Sequence, residues 1–412
     1  MKSDTIVRPG DFNKLPGWFK ALNKAWKISY PLGTKVSLEK DELISSARKI
    51  TGLHDFGDYP WEEPFEKLLW SLNNEANLHA AGYFISKKRL VSMLSIRLRV
   101  ESLLKKHPEI LEQELYTVWA VTGLQRTGTT KMHRLLSADS DNRVLLSWEA
   151  LDPVPHTGKR KDRRIKDARM SEKALRLMAP GFFAIHPVEY NAPEEDVLLL
   201  DNTFMSTTFE ATTHVPTYAL WLEKQDHTPA YEYYVKLLKI LQWQKPAKRW
   251  ILKTPHHMEY LSDLDKHIKD LKIIWMHRDP YESIPSFLSM LAHSRAIFSD
   301  KVSIKDVADH WIRKSGVMLN KAIDFRNQEG NEEKITDVQY RDFVTDSIDV
   351  LNRVYQDDGG LNLDREELFR KTELENPPGK YGVHRYSLED FGISKADIDL
   401  HTSEYRKLII KN

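Results

Sequence analysis

Eight consecutive residues, Gly123-Leu124-Gln125-Arg126-Thr127-Gly128-Thr129-Thr130, have the spacing of a loop that wraps a phosphate. Glycines let the chain turn tightly and bring backbone N–H groups up to an anion. The free N–H groups and dipole of a following helix favour negative charge there by roughly 0.3–1 kcal/mol. Thr127, Thr129 and Thr130 add hydroxyl donors. An ATP or GTP loop ends in Gly-Lys-Ser or Gly-Lys-Thr, with the lysine on the outer phosphates and the hydroxyl on Mg²⁺. Here Thr129 stands in the lysine's place and the cation has moved inside the loop, to Arg126.

A second cluster is His277-Arg278-Asp279-Pro280 with Ser283 and Ser286 downstream. A guanidinium fork binds phosphate bidentately and a nearby hydroxyl donates one more hydrogen bond. A structural salt bridge is the other reading of Arg278. His-Arg-Asp also occurs in the catalytic loop of protein kinases, but Ile284 stands where that loop needs a metal-binding asparagine, and no Gly-x-Gly-x-x-Gly precedes it. A third cluster, Lys253-Thr254-Pro255-His256-His257, puts a cation and two imidazoles within five residues, the types needed for charge stabilisation and proton transfer. Neither histidine has further ligands at a recognisable metal-site spacing. Glu149, after Trp148, and Glu194-Glu195-Asp196 supply carboxylates.

These clusters need a scaffold that presents them together. Tyr116 to Val121 reads as a buried strand, followed by a tight turn and a segment with helical spacing at Met132, Leu135 and Leu136. Arg249–Leu252 and Leu271–Met276 read as further buried strands, with a weaker one before Tyr340. Helical patterns lie between them, Tyr231 to Leu241 and Leu261 to Leu271, the alternation of a parallel sheet wound on both faces. From Val36 to Pro108 apolar residues recur at three-to-four spacing, among them Leu43, Ala47, Leu68, Leu72, Leu90, Leu94 and Leu98. The expectation is a helical region over 1–115, packed on the core and carrying no chemistry, and an α/β region over 116–412. The basic run Lys159 to Arg169 reads as a solvated helix face, and the aromatic-rich stretch Phe182 to Trp221 as the wall of an acceptor pocket.

The 412 residues are 41% hydrophobic, and 61 basic residues against 60 acidic leave a net charge of +1. No global attraction to nucleic acid or to an anionic membrane follows, so any anion site is local. The absence of cysteine excludes disulfides and thiolate chemistry and suits a reducing compartment. No run approaches the roughly 18 apolar residues of a membrane span, and the first residues lack a signal-peptide pattern. A cytoplasmic location is expected.

The loop Arg126-Thr127-Gly128-Thr129-Thr130 resembles the 5'-phosphosulfate loop of the sulfotransferases that use 3'-phosphoadenosine-5'-phosphosulfate (PAPS), whose usual form is a basic residue, Ser or Thr, then Gly-Thr-Thr. The longer run to Leu136 and Ser147-Trp148-Glu149-Ala150 are similar to the bacterial branch of that family; the cytosolic animal enzymes carry lysine in place of Arg126. The resemblance spans roughly Tyr116 to Gly392. It implies a P-loop-type α/β fold, PAPS as cosubstrate without a metal, and a small-molecule acceptor with a hydroxyl or amine. It also implies that Arg278 and Ser286 hold the 3'-phosphate, that Tyr340 packs near the adenine, and that a late loop containing Lys380 and Gly382 closes on the 3'-phosphate. Lys253 matches the lysine near the transferring group. For the general base the resemblance points to His257 first and His256 second, although Pro255 interrupts the usual Lys-Thr-His, and to Glu149 by comparison with members that use a glutamate. The acceptor and the oligomeric state, a homo-oligomer included, are not set by the residues.

Overall fold

The computed structural model describes residues 6–115, 117–156, 162–377 and 383–411. Four long N-terminal helices, α1 (Gly17–Ile28), α2 (Lys40–Thr51), α3 (Glu62–Asn74) and α4 (Ala80–Lys106), precede the sheet. The five strands of the main sheet follow: β1 (Thr117–Thr122), β2 (Asn142–Val144), β3 (Arg249–Lys253), β4 (Leu271–His277) and β5 (Ile335–Gln339). They form one sheet in the order β2-β3-β1-β4-β5, and every neighbouring pair is parallel. Helix α5 (Thr129–Leu136) follows the loop after β1, and the helices α6 (Thr228–Gln244), α7 (Pro280–Ala296) and α8 (Ile304–Arg326) carry the later connections.

Strand side chains alternate between two apolar layers, because successive Cβ atoms of a strand point to opposite faces. Trp119, Val121, Ile251, Ile274 and Met276 pack with Met132, Leu135 and Leu136 of α5. Val118, Ala120, Trp250, Leu252, Ile273 and Trp275 face the other way, into a layer shared with Leu90, Leu94 and Leu98 of α4. Both faces are covered, so the strands read as near-continuous apolar runs. The chain leaves β1 toward β2 and β3 on one side and reaches β4 and β5 on the other. The order therefore reverses beside β1, and the crevice at the carboxyl ends of the strands at such a point is where open α/β sheets bind ligands.

The helical expectation for 261–271 is met only as far as His267, since Leu271 already opens β4. Strand β2 has no counterpart in the sequence reading, and helix α1 falls in the helical region expected over 1–115 but ahead of the periodic stretch from Val36.

Candidate active site

The carboxyl ends of β1, β3 and β4 converge by register. Val121 pairs with Lys253 and Thr122 with Trp275. The segments leaving these strands therefore start side by side: the loop Gly123–Gly128, then Lys253-Thr254, then Arg278. The Thr122 hydroxyl fastens two of them by donating to the Thr254 carbonyl at 3.1 Å. Two glycines set the loop's shape. Gly123 has φ 145° and its Cα faces the Met276 carbonyl, which a Cβ would meet at 2.4 Å. Gly128, at φ 94°, caps α5 in the left-handed region and lies against the Tyr340 ring, 2.9 Å from where a Cβ would stand. These are close backbone approaches that only glycine permits. Thr127 is buried and donates to the Leu124 carbonyl at 2.6 Å; Thr129 is buried and Thr130 exposed at the helix start.

Arg126 is the unusual residue of the loop. It takes φ 70°, a left-handed conformation that costs a non-glycine residue about 1 kcal/mol or more. Its Nε donates to the Ser286 hydroxyl at 3.0 Å and its Nη1 to the Ile185 carbonyl at 3.4 Å. Among the described residues no carboxylate pairs with it. Burial, and then the nearby Arg278 guanidinium, hold Arg126 below the ordinary arginine range. Arg278 donates through Nη1 to the Arg126 carbonyl at 3.0 Å, pairs with Glu282 through Nε at 3.0 Å, and lies 4.3 Å over the Tyr340 ring. Ser286 is buried on α7. The Asp279 carboxylate caps α7 by accepting from the Tyr281 N–H at 3.0 Å, so the His-Arg-Asp run serves a helix start rather than a kinase-like loop.

Lys253 is 3% exposed, with Nζ 2.7 Å from Glu195 Oε1. The backbone N–H of Lys253 donates to Asp196 at 2.6 Å. His186, which follows the helix Pro180–Ile185, sits in the same field. Its pKa is lowered to about 4 by burial and by Lys253, Arg126 and Arg134, although Glu195 pulls the other way. Beside it burial pushes the Glu194 carboxyl up, while Lys253 opposes that shift. The acidic triplet and the Phe182–Trp221 stretch therefore do reach the lysine. His186 itself was not singled out in the sequence, where its only signal is a histidine closing the apolar run Phe182-Phe183-Ala184-Ile185.

The three residues expected as bases are buried and each has polar partners. His257 is fully buried, with Nδ1 2.8 Å from the Tyr231 hydroxyl and Nε2 2.7 Å from Asp196 Oδ2. Asp196 also accepts from the Tyr234 hydroxyl at 2.7 Å, and despite complete burial these donors, His257 foremost, keep it below the usual carboxylate range. His256 meets the Thr207 hydroxyl at 3.1 Å and packs against His227 and Tyr260; burial and neighbouring positive groups hold its pKa far below the ordinary value. The turn Pro255–Glu259 thus aims both imidazoles into the packing between α6 and α8. Glu149 accepts from both terminal nitrogens of Arg143, at 2.9 and 2.6 Å, and from the Leu146 N–H at 3.0 Å. It is a buried cap and ion pair at the edge of the sheet, next to β2.

Of the basic run, Lys159, Arg160 and Lys161 lie outside the described residues, and Arg163, Lys166 and Arg169 are exposed as expected, while Arg164 is not. Arg164 is buried, paired with Asp162 and stacked 4.9 Å over Trp148, and Arg169 lies 5.1 Å over Tyr190. Lys380 and Gly382 of the late loop lie outside the described residues, but His384 does not: its Nε2 is 2.8 Å from the Ser289 hydroxyl on α7, and burial followed by Arg126 lowers its pKa to about 3.

The chain is similar over 90% of its length to the crystal structure of sulfotransferase STF1 from Mycobacterium tuberculosis H37Rv, all of which is covered, with a TM-score of 0.78 and 27% identity. Sulfotransferase STF9 from Mycobacterium avium shares the fold at a TM-score of 0.79 and 23% identity, over 90% of this chain and 97% of that one. No curated protein sequence matches the chain. The sulfotransferase family model matches residues 120–359, more than half of the chain, from within β1 to beyond β5. The chain belongs to the sulfotransferase family.

Proposed function

We propose that the protein transfers a sulfuryl group from PAPS to a hydroxyl or amine of a small acceptor. One observation carries this reading: Arg126 is held in a strained backbone conformation beside a second arginine and, among the described residues, is answered by a hydroxyl and a carbonyl but by no carboxylate. Two adjacent guanidiniums, one without a carboxylate, are costly unless an anion completes them. The glycine-shaped loop offers backbone N–H groups to the same anion. The donor set fits PAPS. The loop Arg126, Thr127, Gly128, Thr129 and Thr130 would hold the 5'-phosphosulfate, Arg278 and Ser286 the 3'-phosphate, with the loop of Lys380 and Gly382 closing on that phosphate, and Tyr340 would pack by the adenine. PAPS supplies an activated sulfuryl group, so no metal is called for.

Lys253 lies where charge grows on the departing phosphate, and its partner Glu195 is the carboxylate best placed to take the acceptor's proton. This reading moves the base from His257, His256 and Glu149 to Glu195, with neutral His186 lining the same position. A cytoplasmic location agrees with a chain of 412 residues without cysteine.

Calorimetric titration with adenosine 3',5'-bisphosphate and, separately, with ATP and Mg²⁺ tests the cofactor. Metal-independent binding of the bisphosphate is expected, weakened about 10–100-fold in Arg278→Ala, the loss of a charge-assisted pair of hydrogen bonds. Preference for ATP with Mg²⁺ would overturn the reading in favour of a kinase. Glu195→Gln is expected to cut turnover of radiolabelled PAPS about 100-fold or more and to flatten the fall of rate at acid pH, with bisphosphate affinity preserved. An unchanged pH profile would remove Glu195 from the role of base.

A further inference from the structure

Helix α1 has three faces rather than two. At 3.6 residues per turn, Phe19, Asn23 and Trp26 form one stripe, which packs on α4: Phe19 is buried against the His79 ring, Asn23 accepts from the Ala81 N–H at 2.8 Å, and the Trp26 ring lies 5.6 Å from Phe84. Lys20, Lys24 and Lys27 form the second. Trp18, Leu22, Ala25 and Ile28 form the third, and it is bare: Trp18 is 53% exposed, Leu22 46% and Ile28 71%. Leu32, in the turn after the helix, is 83% exposed.

The charge of this segment is equally one-sided. Between Asp11 and Glu39 the chain has five lysines, Lys14, Lys20, Lys24, Lys27 and Lys35, and no acidic residue, within a protein whose net charge is only +1. Among the described residues Lys24, Lys27 and Lys35 have no acidic partner. Beyond Trp26 the surface continues through half-exposed Phe84 to Lys88 and to Lys87, which pairs with Glu42, and both lysines line a cleft of about 1420 Å³ between α2, α4 and the helix Arg164–Met178. None of the residues assigned to sulfuryl transfer lines that cleft.

We propose that this face docks the protein on the surface of an anionic lipid bilayer, with Trp18, Leu22, Ile28 and Leu32 in the headgroup region and the lysines on lipid phosphates. A lone exposed leucine needs no explanation, but a bare apolar stripe on a basic helix is the pattern of a helix lying in a membrane interface. Tryptophan is favoured there, and lysine stems lie along apolar surface while their heads reach outward. An anionic bilayer answers both the lysines and the apolar stripe. The helix lies on the bilayer without crossing it, in keeping with the finding that no described helix is long and apolar enough to span one. This docking does not depend on the identity of the sulfuryl donor.

Flotation with vesicles tests it, using the full chain and vesicles of phosphatidylcholine alone or with about one third phosphatidylglycerol. The wild type is expected to float with the anionic vesicles, to stay behind with phosphatidylcholine alone, and to be released as salt shortens the screening length. Leu22→Glu with Ile28→Glu should lower the bound fraction at least about tenfold, and Lys24→Glu with Lys27→Glu should do the same, since each lysine near an anionic surface multiplies binding about fivefold. Thermal midpoints equal to wild type show that these surface variants fold, and Trp18→Ser serves if the double variant does not. Failure of the wild type to float with anionic vesicles, or flotation of the apolar variant at the wild-type level, overturns the proposal. So does a wild-type dimer in sedimentation that Leu22→Glu with Ile28→Glu turns into monomer, because a second copy then covers the face.

Discussion

Replacing Lys253 by Met is expected to lower sulfuryl transfer about 10²–10³-fold while adenosine 3',5'-bisphosphate binds within about threefold of wild type. The ammonium is 3% exposed and held at the end of β3 by its backbone bond to Asp196 and its ion pair to Glu195. A cation fixed in a dry site costs no reorganisation when charge develops on a departing phosphate, and stabilisation realised only in the transition state appears in kcat and not in ground-state affinity. Methionine keeps the stem's volume and removes the charge. Turnover of radiolabelled PAPS against a panel of phenols and alcohols gives the rate, and calorimetry gives the affinity. A rate within threefold of wild type, or a parallel loss of bisphosphate affinity, would show that Lys253 is a binding residue and would detach Glu195 from the reaction with it.

Most of the sheet was legible because buried parallel strands announce themselves as unbroken apolar runs, as in Trp119-Ala120-Val121 and Ile273-Ile274-Trp275-Met276. Strand β2 was not, being three residues at a sheet edge with Arg143 in its middle. Helix α1 lies inside the helical region expected over 1–115, ahead of the periodic stretch that begins at Val36, with its apolar residues on one half of the helix and Lys20, Lys24 and Lys27 on the other. The anion-binding half of the site was written locally, since a phosphate loop and an arginine after a strand each lie within a few consecutive residues. The proposed acid–base pair was not. Lys253 meets Glu195 across 58 residues of sequence, and spacing alone cannot say that the turn Pro255–Glu259 swings His256 and His257 away into the core. Nor does spacing reveal their partners, Thr207 for His256 and Tyr231 with Asp196 for His257.

The same turn is anchored by the cluster with the largest expected effect on stability. Lys314 of α8 is fully buried among three carboxylates, 2.6 Å from Glu259, 3.3 Å from Glu223 and 3.6 Å from Glu210. Arg313 pairs with Glu223 at 2.7 Å and His310 with Glu210 at 2.7 Å. Burial works against the charge on Lys314, but the three carboxylates outweigh it and raise its pKa. In turn Arg313 and Lys314 draw Glu223 from its ordinary 4.5 down to about 2 against the opposing effect of burial. A carboxylate so depressed contributes stability in full above pH 4.5 and loses it as pH falls toward 2. Lys314→Met keeps the packing and leaves Glu259 and Glu210 buried with too little positive charge, at an expected cost of about 3–5 kcal/mol. With an unfolding entropy of roughly 2.1 cal/mol/K per residue, that corresponds to a fall in Tm of about 5 °C for the whole chain at pH 8. The pH dependence separates this cause from lost packing. Without the lysine the buried carboxylates have folded pKa values raised above their unfolded ones, so protonation relieves them, and the deficit should shrink as the pH is lowered toward 5. Thermal denaturation of both proteins at pH 8 and pH 5 reads this out: a deficit that is the same at both would place the cost in packing, and no deficit at pH 8 would mean that the carboxylates find their counter-charge in Arg313, Lys321 and Arg295 alone.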